Sequence, residues 1–368
     1  MGPEGKDEMK IRVAILVGGP SSEYEVSLMT GENVLKSFDP EKFTAETVVI
    51  DKSGEWPFPP EELPNRFDVA FIAMHGTYGE DGTIQAILEE ASIPYTGSGK
   101  LSSALGMNKF LSLRLFRDAG LTIPPTLHFH LYPVTPQQSK FSSDRGKDYK
   151  RTSKEKNLLR TARSNGVNDF EKHEDEVVQK ITWYLEKPWV IKPNAGGSSI
   201  GVVMANSEKE LREVLREAAR TYKDVLVQPL ILGREVTCGV VDHGTHGSAF
   251  ALPPTEIVPR VSNFFDYKAK YDSGGSDEIT PARFPESYLR EFRNIALKAH
   301  HLTGCRGFSR TDMMVGKDGK IYVLEINTIP GLTSESLLPK AAHTYGISFQ
   351  KLLEMLVEAA FTSHKKKS

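Results

Sequence analysis

Four polar residues near the C-terminal end are spaced so that one tight turn would bring them together. Between Gly307 and Gly331, two apolar runs flank Lys317-Asp318-Gly319-Lys320. An Asp-Gly pair between such runs signals a two-residue hairpin turn. With Asp318-Gly319 as the turn, Met314 faces Val323, Asp312 faces Glu325 and Arg310 faces Asn327. Side chains two apart on a strand share a face, so Arg310, Asp312, Glu325 and Asn327 point the same way. The other face carries Thr311, Met313, Val315, Tyr322, Leu324 and Ile326 and is suited to a core.

Opposed carboxylates repel, and burial would protonate one of them unless a cation compensates. Magnesium takes hard oxygen ligands, and two carboxylates with an amide oxygen supply them; an ion held this way commonly also ligates nucleotide phosphates. The same residues admit a structural ion pair from Arg310 to Asp312 or Glu325. Gly331, in Pro330-Gly331, could offer its N–H to a developing oxyanion or could simply end the strand.

A second chemical signal is Lys192-Pro193-Asn194-Ala195-Gly196-Gly197-Ser198-Ser199-Ile200-Gly201. It follows an apolar run and leads into Val202-Val203, which makes a hairpin-like glycine loop whose N–H groups could cradle phosphate. It lacks the G-x-x-x-x-G-K-[ST] pattern of a helix-opening phosphate loop. Lys192 and Lys109 could reach phosphate oxygens as point charges. His75, in Met74-His75-Gly76, stands at a strand end, where open sheets bind ligands, although a turn role suits it equally. No G-x-S-x-G is present, and Ser21, Ser22, Ser198 and Ser199 have no His/Asp partner motif.

The elements that must position these residues alternate along the chain. Ile11–Val17 predicts a buried strand, and Ser22 with Glu25 predicts a capping box opening a helix to about Phe38. Strands are expected over Thr47–Ile50 and Asp68–Ala73, and helices over Thr83–Ala91 and Leu101–Ala119, the latter ending at Gly120. From Leu131 to Asp175, Pro, Ser, Lys, Arg and Asp replace the apolar period, which predicts a polar surface insertion, partly mobile or loosely helical. Strands follow at Trp189–Ile191, Asp224–Ile231 and Glu235–Val241, with a capped helix opening at Ser207 and Glu210 and another helix over Glu286–Leu302. Phe264–Pro281 is a long polar loop and a lid candidate. The βαβ-like start predicts an α/β fold, in three lobes: residues 1–100, 101–230 with the insertion at about 131–175, and 231–368.

The chain has 368 residues, too many for one ordinary core. Its formal net charge of −2 offers nothing global for nucleic acid or an anionic membrane. No apolar run is long enough to span a bilayer, and the polar first ten residues do not read as a signal peptide. Cys238 and Cys305 lie far apart and suggest no disulfide framework, which fits a reducing cytoplasm. His243 and His246 flank a glycine and read as a turn rather than as metal ligands.

Taken together these motifs resemble the D-alanine:D-alanine ligase family of bacterial wall synthesis. Gly18-Gly19-Pro20-Ser21-Ser22-Glu23-Tyr24-Glu25-Val26-Ser27 is similar to the family's opening motif. His75-Gly76 with Gly79-Glu80-Asp81-Gly82-Thr83, then Tyr95-Thr96-Gly97-Ser98-Gly99 and Met107-Asn108-Lys109, follow in the family's order. Lys192–Gly201 resembles its phosphate loop and Lys270-Tyr271 the tip of its mobile loop. Leu324-Glu325-Ile326-Asn327-Thr328 with Pro330-Gly331-Leu332-Thr333 and Ser336-Leu337 resembles its closing signature.

The resemblance implies an ATP-grasp fold behind an N-terminal open α/β, Rossmann-like domain. It implies ligation of two D-alanines through a D-alanyl phosphate, for peptidoglycan precursors; the alternatives are the same chemistry with D-lactate or another amino acid as second substrate, or a nucleotide-binding protein that has lost catalysis, against which the intact Arg310, Asp312, Glu325 and Asn327 set argues. It implies ATP and two Mg²⁺, with Mn²⁺ as a substitute, held by Asp312, Glu325 and Asn327. Lys109, Lys192, Glu235 and Lys270, with Gly197 and Ser199 of the glycine loop, would bind the nucleotide. Gln228 stands where the family usually has Glu accepting the adenine amino group, and Asn108 where it usually has Asp. Glu23 would anchor the first substrate's ammonium and join Ser198 and Tyr271 in a network that shuts the site. Arg310 and Gly331 would stabilise the oxyanion. His75, Ser336 and Leu337 would bind substrate, Ser336 at the second carboxylate. A homodimer without nucleic-acid or membrane partners is the implied assembly.

Overall fold

The computed structural model describes residues 10–131, 167–197, 200–242, 248–260 and 276–365. Two compact units form: residues 1–123 with 232–368, and residues 124–231.

The first unit opens with β1 (Ile11–Gly18), α1 (Tyr24–Ser37), β2 (Phe43–Ile50), α2 (Leu63–Arg66), β3 (Val69–Ile72), α3 (Thr83–Glu90), α4 (Lys100–Met107) and α5 (Lys109–Asp118). The first three strands make a parallel sheet in the order β2-β1-β3. Val13 through Leu16 are fully buried, as a parallel strand covered on both faces requires. The expected capping box at Ser22 is not formed. α1 starts at Tyr24, and Ser21 rather than Ser22 turns the chain, its hydroxyl accepting from the Glu23 N–H at 3.1 Å. The helix expected over Leu101–Ala119 is two helices. Asn108 leaves helical geometry (ψ 92°), and its side-chain oxygen accepts from the Leu111 N–H at 3.0 Å. A short polar side chain that competes for backbone donors ends one helix and caps the next. The break sets Lys109 at the head of α5.

The second unit holds β4 (Leu127–His130), α6 (Val167–Tyr184), β5 (Trp189–Pro193), β6 (Val203–Ala205), α7 (Glu208–Thr221) and β7 (Asp224–Pro229). Its antiparallel sheet runs β4-β7-β5-β6. Val178 and Ile181 of α6, Leu185 just after it, and Leu211 and Leu215 of α7 pack with Trp189, Ile191, Val225 and Val227. The even positions Val190, Lys192, Leu226 and Gln228 therefore occupy the sheet's other face. Ser207 caps α7 as expected, accepting from the Glu210 N–H at 3.3 Å. Of the expected insertion, residues 132–166 lie outside the described segments. Residues 167–175 are helical, the second of the two expected states, and Glu174 is buried there against Arg212 and Arg216 of α7.

The first unit resumes with β8 (Gly233–Asp242), β9 (Ala249–Ala251), β10 (Thr255–Pro259), β11 (Ser276–Ile279), α8 (Glu286–Thr303), β12 (Phe308–Gly316), β13 (Ile321–Asn327), α9 (Leu337–Thr344) and α10 (Phe349–Lys365). An antiparallel sheet runs β11-β10-β8-β12-β13, with β9 also paired to β8. The lid candidate is shorter than expected. Residues 264–275 lie outside the described segments, while Ser276–Ile279 pairs with β10 as an edge strand. Its charges hid it, and charged edges are usual; Asp277 accepts from Arg260.

The β12–β13 hairpin turns differently from the expectation and reaches the same register at the site. Gly316 donates to the Lys320 carbonyl at 2.9 Å, and Gly319 has φ +78°. This is a three-residue turn with a left-handed glycine. Met314 therefore faces Tyr322 rather than Val323, and Val323, not Tyr322, joins Met313 in the core. An irregularity between Asp312 and Met313 inserts one residue, Leu324, on β13. Beyond it Asp312 faces Glu325 and Arg310 faces Asn327. Had the turn's register continued, Asp312 would oppose Leu324.

One core ties this hairpin's end to the N-terminal sheet: Ile15, Phe71 and Met74 cluster with Phe308, Ile329, Leu332 and Leu338. Asn33 of α1 also donates to the Leu332 carbonyl at 2.7 Å.

Candidate active site

Within the first unit, β8, β12 and β13 build one polar face. Glu235 pairs with Met314, Thr237 with Asp312, and Asp312 with Glu325. Arg310 clasps Asp312 with two parallel hydrogen bonds, Nε to Oδ1 at 2.8 Å and an Nη to Oδ2 at 2.9 Å. Thr237 donates to the same Oδ1 at 2.7 Å. Lys109, from the head of α5, lies 3.2 Å from Glu325 Oε2. Asn327 turns its amide oxygen to the Ile329 N–H at 2.9 Å. Of the two readings of these four residues, the Arg310–Asp312 ion pair forms, and the register sets Glu325 across from Asp312, with Asn327 two positions on. That oxygen set fits a divalent cation such as Mg²⁺.

Burial alone would lower the Arg310 pKa. Asp312, then Glu325 and Glu80, reverse this and raise it, so the guanidinium stays charged. The influence of Glu80 brings the loop after β3 into the same field. In that loop Glu80 Oε1 accepts from the Gly76 N–H at 2.9 Å and lies 3.8 Å from His75 Nδ1. His75 Nε2 is 2.9 Å from the Thr30 hydroxyl. Glu23 is buried, and its carboxylate sits so close to Gly76 that an added Cβ would lie 2.8 Å from it. Glycine is required there twice over, since φ is +72°.

The closing loop is equally tight. A Cβ on Gly331 would stand 2.7 Å from Ser336 Oγ. Ser336 is the N-cap of α9; its hydroxyl accepts from the Thr333 N–H at 3.1 Å and lies 2.8 Å from the Thr333 hydroxyl. Leu337 opens the helix.

In the second unit Lys192 and Gln228 are buried on one sheet face. The glycine loop joins β5 to β6 as the expected hairpin, with Gly196 at φ +120° and Gly201 at φ +77°. Gly197 is part of it, whereas Ser198, Ser199, Lys270 and Tyr271 lie outside the described residues, as do His243 and His246.

Two polar residues of the first unit's site escaped sequence reasoning as site candidates. Thr237 shares the face of Glu235 two positions on, yet only the pairing of β8 with β12 sets it against Asp312. Glu80 was visible inside its Gly-Glu-Asp-Gly motif, but its reach to Arg310 depends on the core shared by sheet and hairpin.

Comparison with known proteins decides the family. The D-ala D-ala ligase C-terminus model matches residues 165–358, and the D-ala D-ala ligase N-terminus model matches residues 12–63 and 57–98. The D-alanine--D-alanine ligase of Anaeromyxobacter dehalogenans is 38% identical over 349 residues, covering 95% of this chain and 96% of that protein. The chain belongs to the D-alanine:D-alanine ligase family. Two solved relatives share its fold: the D-alanine--D-alanine ligase of Bacillus anthracis complexed with ATP (TM-score 0.70, 28% identity, 97% of this chain and 100% of that one) and the VanG D-Ala:D-Ser ligase of Enterococcus faecalis (TM-score 0.74, 28% identity, 96% and 100%). The fold is that of the ATP-grasp ligases, as the motifs implied.

Proposed function

We propose that this ligase joins two D-alanine molecules into D-alanyl-D-alanine with cleavage of ATP to ADP and phosphate, supplying peptidoglycan precursors. The observation that carries the reading is the convergence of Arg310, Asp312, Glu325 and Lys109 on one sheet face, in a chain matched along its length by ligases of that name.

The chemistry needs activation because a carboxylate is a poor electrophile. One oxygen of the first D-alanine's carboxylate attacks the γ-phosphorus of ATP, and ADP leaves. The amine of the second D-alanine attacks the resulting acyl phosphate, loses a proton and expels phosphate, so one hard step becomes two easier ones. Water would hydrolyse the intermediate, which calls for closure.

Each side chain has a task under this reading. Lys192, Lys109, Glu235, Gln228 and the glycine loop with Gly197 hold the nucleotide, joined by Ser199 and Lys270. Asp312, Glu325 and Asn327 hold two Mg²⁺, for which Mn²⁺ can substitute; bound there, they would neutralise charge on the transferring phosphoryl group. Glu23 anchors the first ammonium, with Ser198 and Tyr271 closing around it and His75 fixing the loop that faces it. Arg310, kept charged, and the Gly331 N–H receive the oxyanion. Ser336 and Leu337 seat the second substrate. The three-lobe division at about residues 100 and 230, a homodimer and a cytoplasmic location complete the proposal. Among the described residues no helix is long and apolar enough to cross a membrane.

Phosphate release from ATP with D-alanine alone, and product analysis with D-serine or D-lactate as competing acceptor, test the reading. D-alanyl-D-alanine as the main product supports it. Phosphate release that appears only with a different acceptor would replace the second substrate, and no release at all would overturn the ligase reading.

A further inference from the structure

The second unit carries a cluster that the ligation reaction does not use. His128 and His130 alternate on the edge strand β4 and so share a face, and β7 brings Asp224 opposite His130. His128 Nε2 lies 3.2 Å from Asp224 Oδ1, and His130 Nδ1 meets the same oxygen. One ligand atom from each of the three residues falls within 4.8 Å of the other two. The imidazoles are 4.6 Å apart at 64°, edge toward face, so they converge on the carboxylate without stacking on each other.

We propose that His128, His130 and Asp224 form a binding site for a divalent transition metal of the zinc class. Two imidazole nitrogens and one carboxylate oxygen are the mixed donor set that Zn²⁺ takes, with water filling a remaining position. The set is distinct in kind from the all-oxygen group at Asp312 and Glu325, because imidazole selects zinc, nickel or copper over magnesium. The scaffold holds it in place. Both histidines stand on a paired strand, and β4 is anchored to β7 again where Leu131 donates to the Lys223 carbonyl at 2.7 Å. His130 is the most exposed of the three, with 59% of its side chain accessible, which gives a metal ion an entry path.

The position matters for the rest of the unit. Asp224 opens β7, and its carbonyl accepts from the Asn194 N–H at 3.0 Å, at the start of the glycine loop. In the sheet register His128 and Lys192 flank Leu226 from its two neighbouring strands. A metal ion at the cluster would therefore tie the edge strand to the strand that supports the glycine loop.

The test uses the full-length protein with excess Mg²⁺ to saturate the oxygen site. Zn²⁺ is titrated against a chromophoric chelator, and Co²⁺ serves as a spectroscopic probe. The expected result is uptake of one equivalent, with the Co²⁺ absorption of a four-coordinate nitrogen–oxygen site. His130→Ala should lose that equivalent; its side chain is mostly exposed, so the fold should survive, and circular dichroism checks that. Glu325→Gln, at the other site, should retain it. Paramagnetic broadening of the His128 and His130 imidazole resonances by Co²⁺ provides a readout on the unmodified protein. Absence of uptake, uptake unchanged in His130→Ala, or broadening confined to other histidines would each overturn the proposal.

Discussion

Gln228 donates from Nε2 to the Thr126 hydroxyl oxygen at 2.8 Å, and Thr126 donates its own proton to the Pro124 carbonyl at 2.7 Å. A hydroxyl has a single proton, so Thr126 can only accept from Gln228, and the amide must present its NH₂ to the threonine. Its Oε1 is thereby turned the other way as an acceptor. Family members usually place a carboxylate at this position, which accepts whichever way it faces. Under the role proposed for Gln228 at the nucleotide, an amide needs an external lock to do the same, and Thr126 is placed to supply it.

Thr126→Val should release the amide. The KM for ATP is expected to rise about fivefold, equivalent to ~1 kcal/mol for one hydrogen bond. Use of a 6-oxo purine triphosphate should improve at the same time, because a freed amide can offer its NH₂ to the oxo group. Thr126→Ser should behave like the parent. Steady-state kinetics with ATP and inosine triphosphate check this; an unchanged ratio of the two kcat/KM values would show that Gln228 does not read the base.

The metal-side carboxylates differ in what else they support. Asp312 is buried and clasped by the largely covered Arg310 guanidinium, so Asp312→Asn strands a charge and should cost about 3 kcal/mol of stability as well as activity. Glu325 is more exposed, at 27% of its side chain, and its partner is a lysine. Glu325→Gln leaves the buried Lys109 ammonium facing a neutral amide, so some loss of melting temperature is expected beside a fall in kcat of roughly a thousandfold, the order expected for losing metal-assisted phosphoryl transfer. Normal turnover in Glu325→Gln would refute the assignment of this face to the metal.

How much of this was readable beforehand depends on whether local or distant residues decide. The pairing of Asp312 with Glu325 was legible because one turn and strand alternation determine it, even though the turn has three residues and a bulge makes up the difference. The core strand at Ile11 and the capped helix at Ser207 were legible for the same reason. The break at Asn108 was not, because a polar residue inside a helical pattern is ambiguous until its side chain is seen to cap Leu111. The firm helix at the end of the insertion was obscured by polar residues, of which Glu174 finds its partners on α7, and Thr126 had no signal at all. It acts through a residue 102 positions away.

Glu174 links α6 to α7 through Arg212 at 3.1 Å and Arg216 at 2.8 Å. Burial pushes its pKa up, but the hydrogen bonds from the two guanidinium groups outweigh this and leave it lowered. A carboxyl depressed in the folded state stabilises above its unfolded pKa, about 4.3, and that stabilisation is lost as pH falls through the folded value. Glu174→Gln should accordingly weaken protection of α6 and α7 amides in hydrogen exchange at pH 7 by about 2 kcal/mol. The gap between variant and parent should close as pH falls below about 4. A gap that persists at acid pH would mean that packing, not charge, is what the substitution removed.

Gly331 and Ser336 supply the most local test of the substrate end. Any Cβ at position 331 would be 2.7 Å from Ser336 Oγ, so Gly331→Ala must displace a hydroxyl already committed to Thr333. Overpacking of this kind typically costs ~1–3 kcal/mol. Because Ser336 is proposed to seat the second D-alanine, the loss should fall chiefly on KM for that substrate, by roughly tenfold or more. Ser336→Gly removes both the clash and the hydroxyl. The double variant Gly331→Ala with Ser336→Gly should then be little worse than Ser336→Gly alone, a strong departure from additivity. If the two effects instead add, Gly331 acts independently of Ser336, and its role reduces to the N–H it offers the oxyanion.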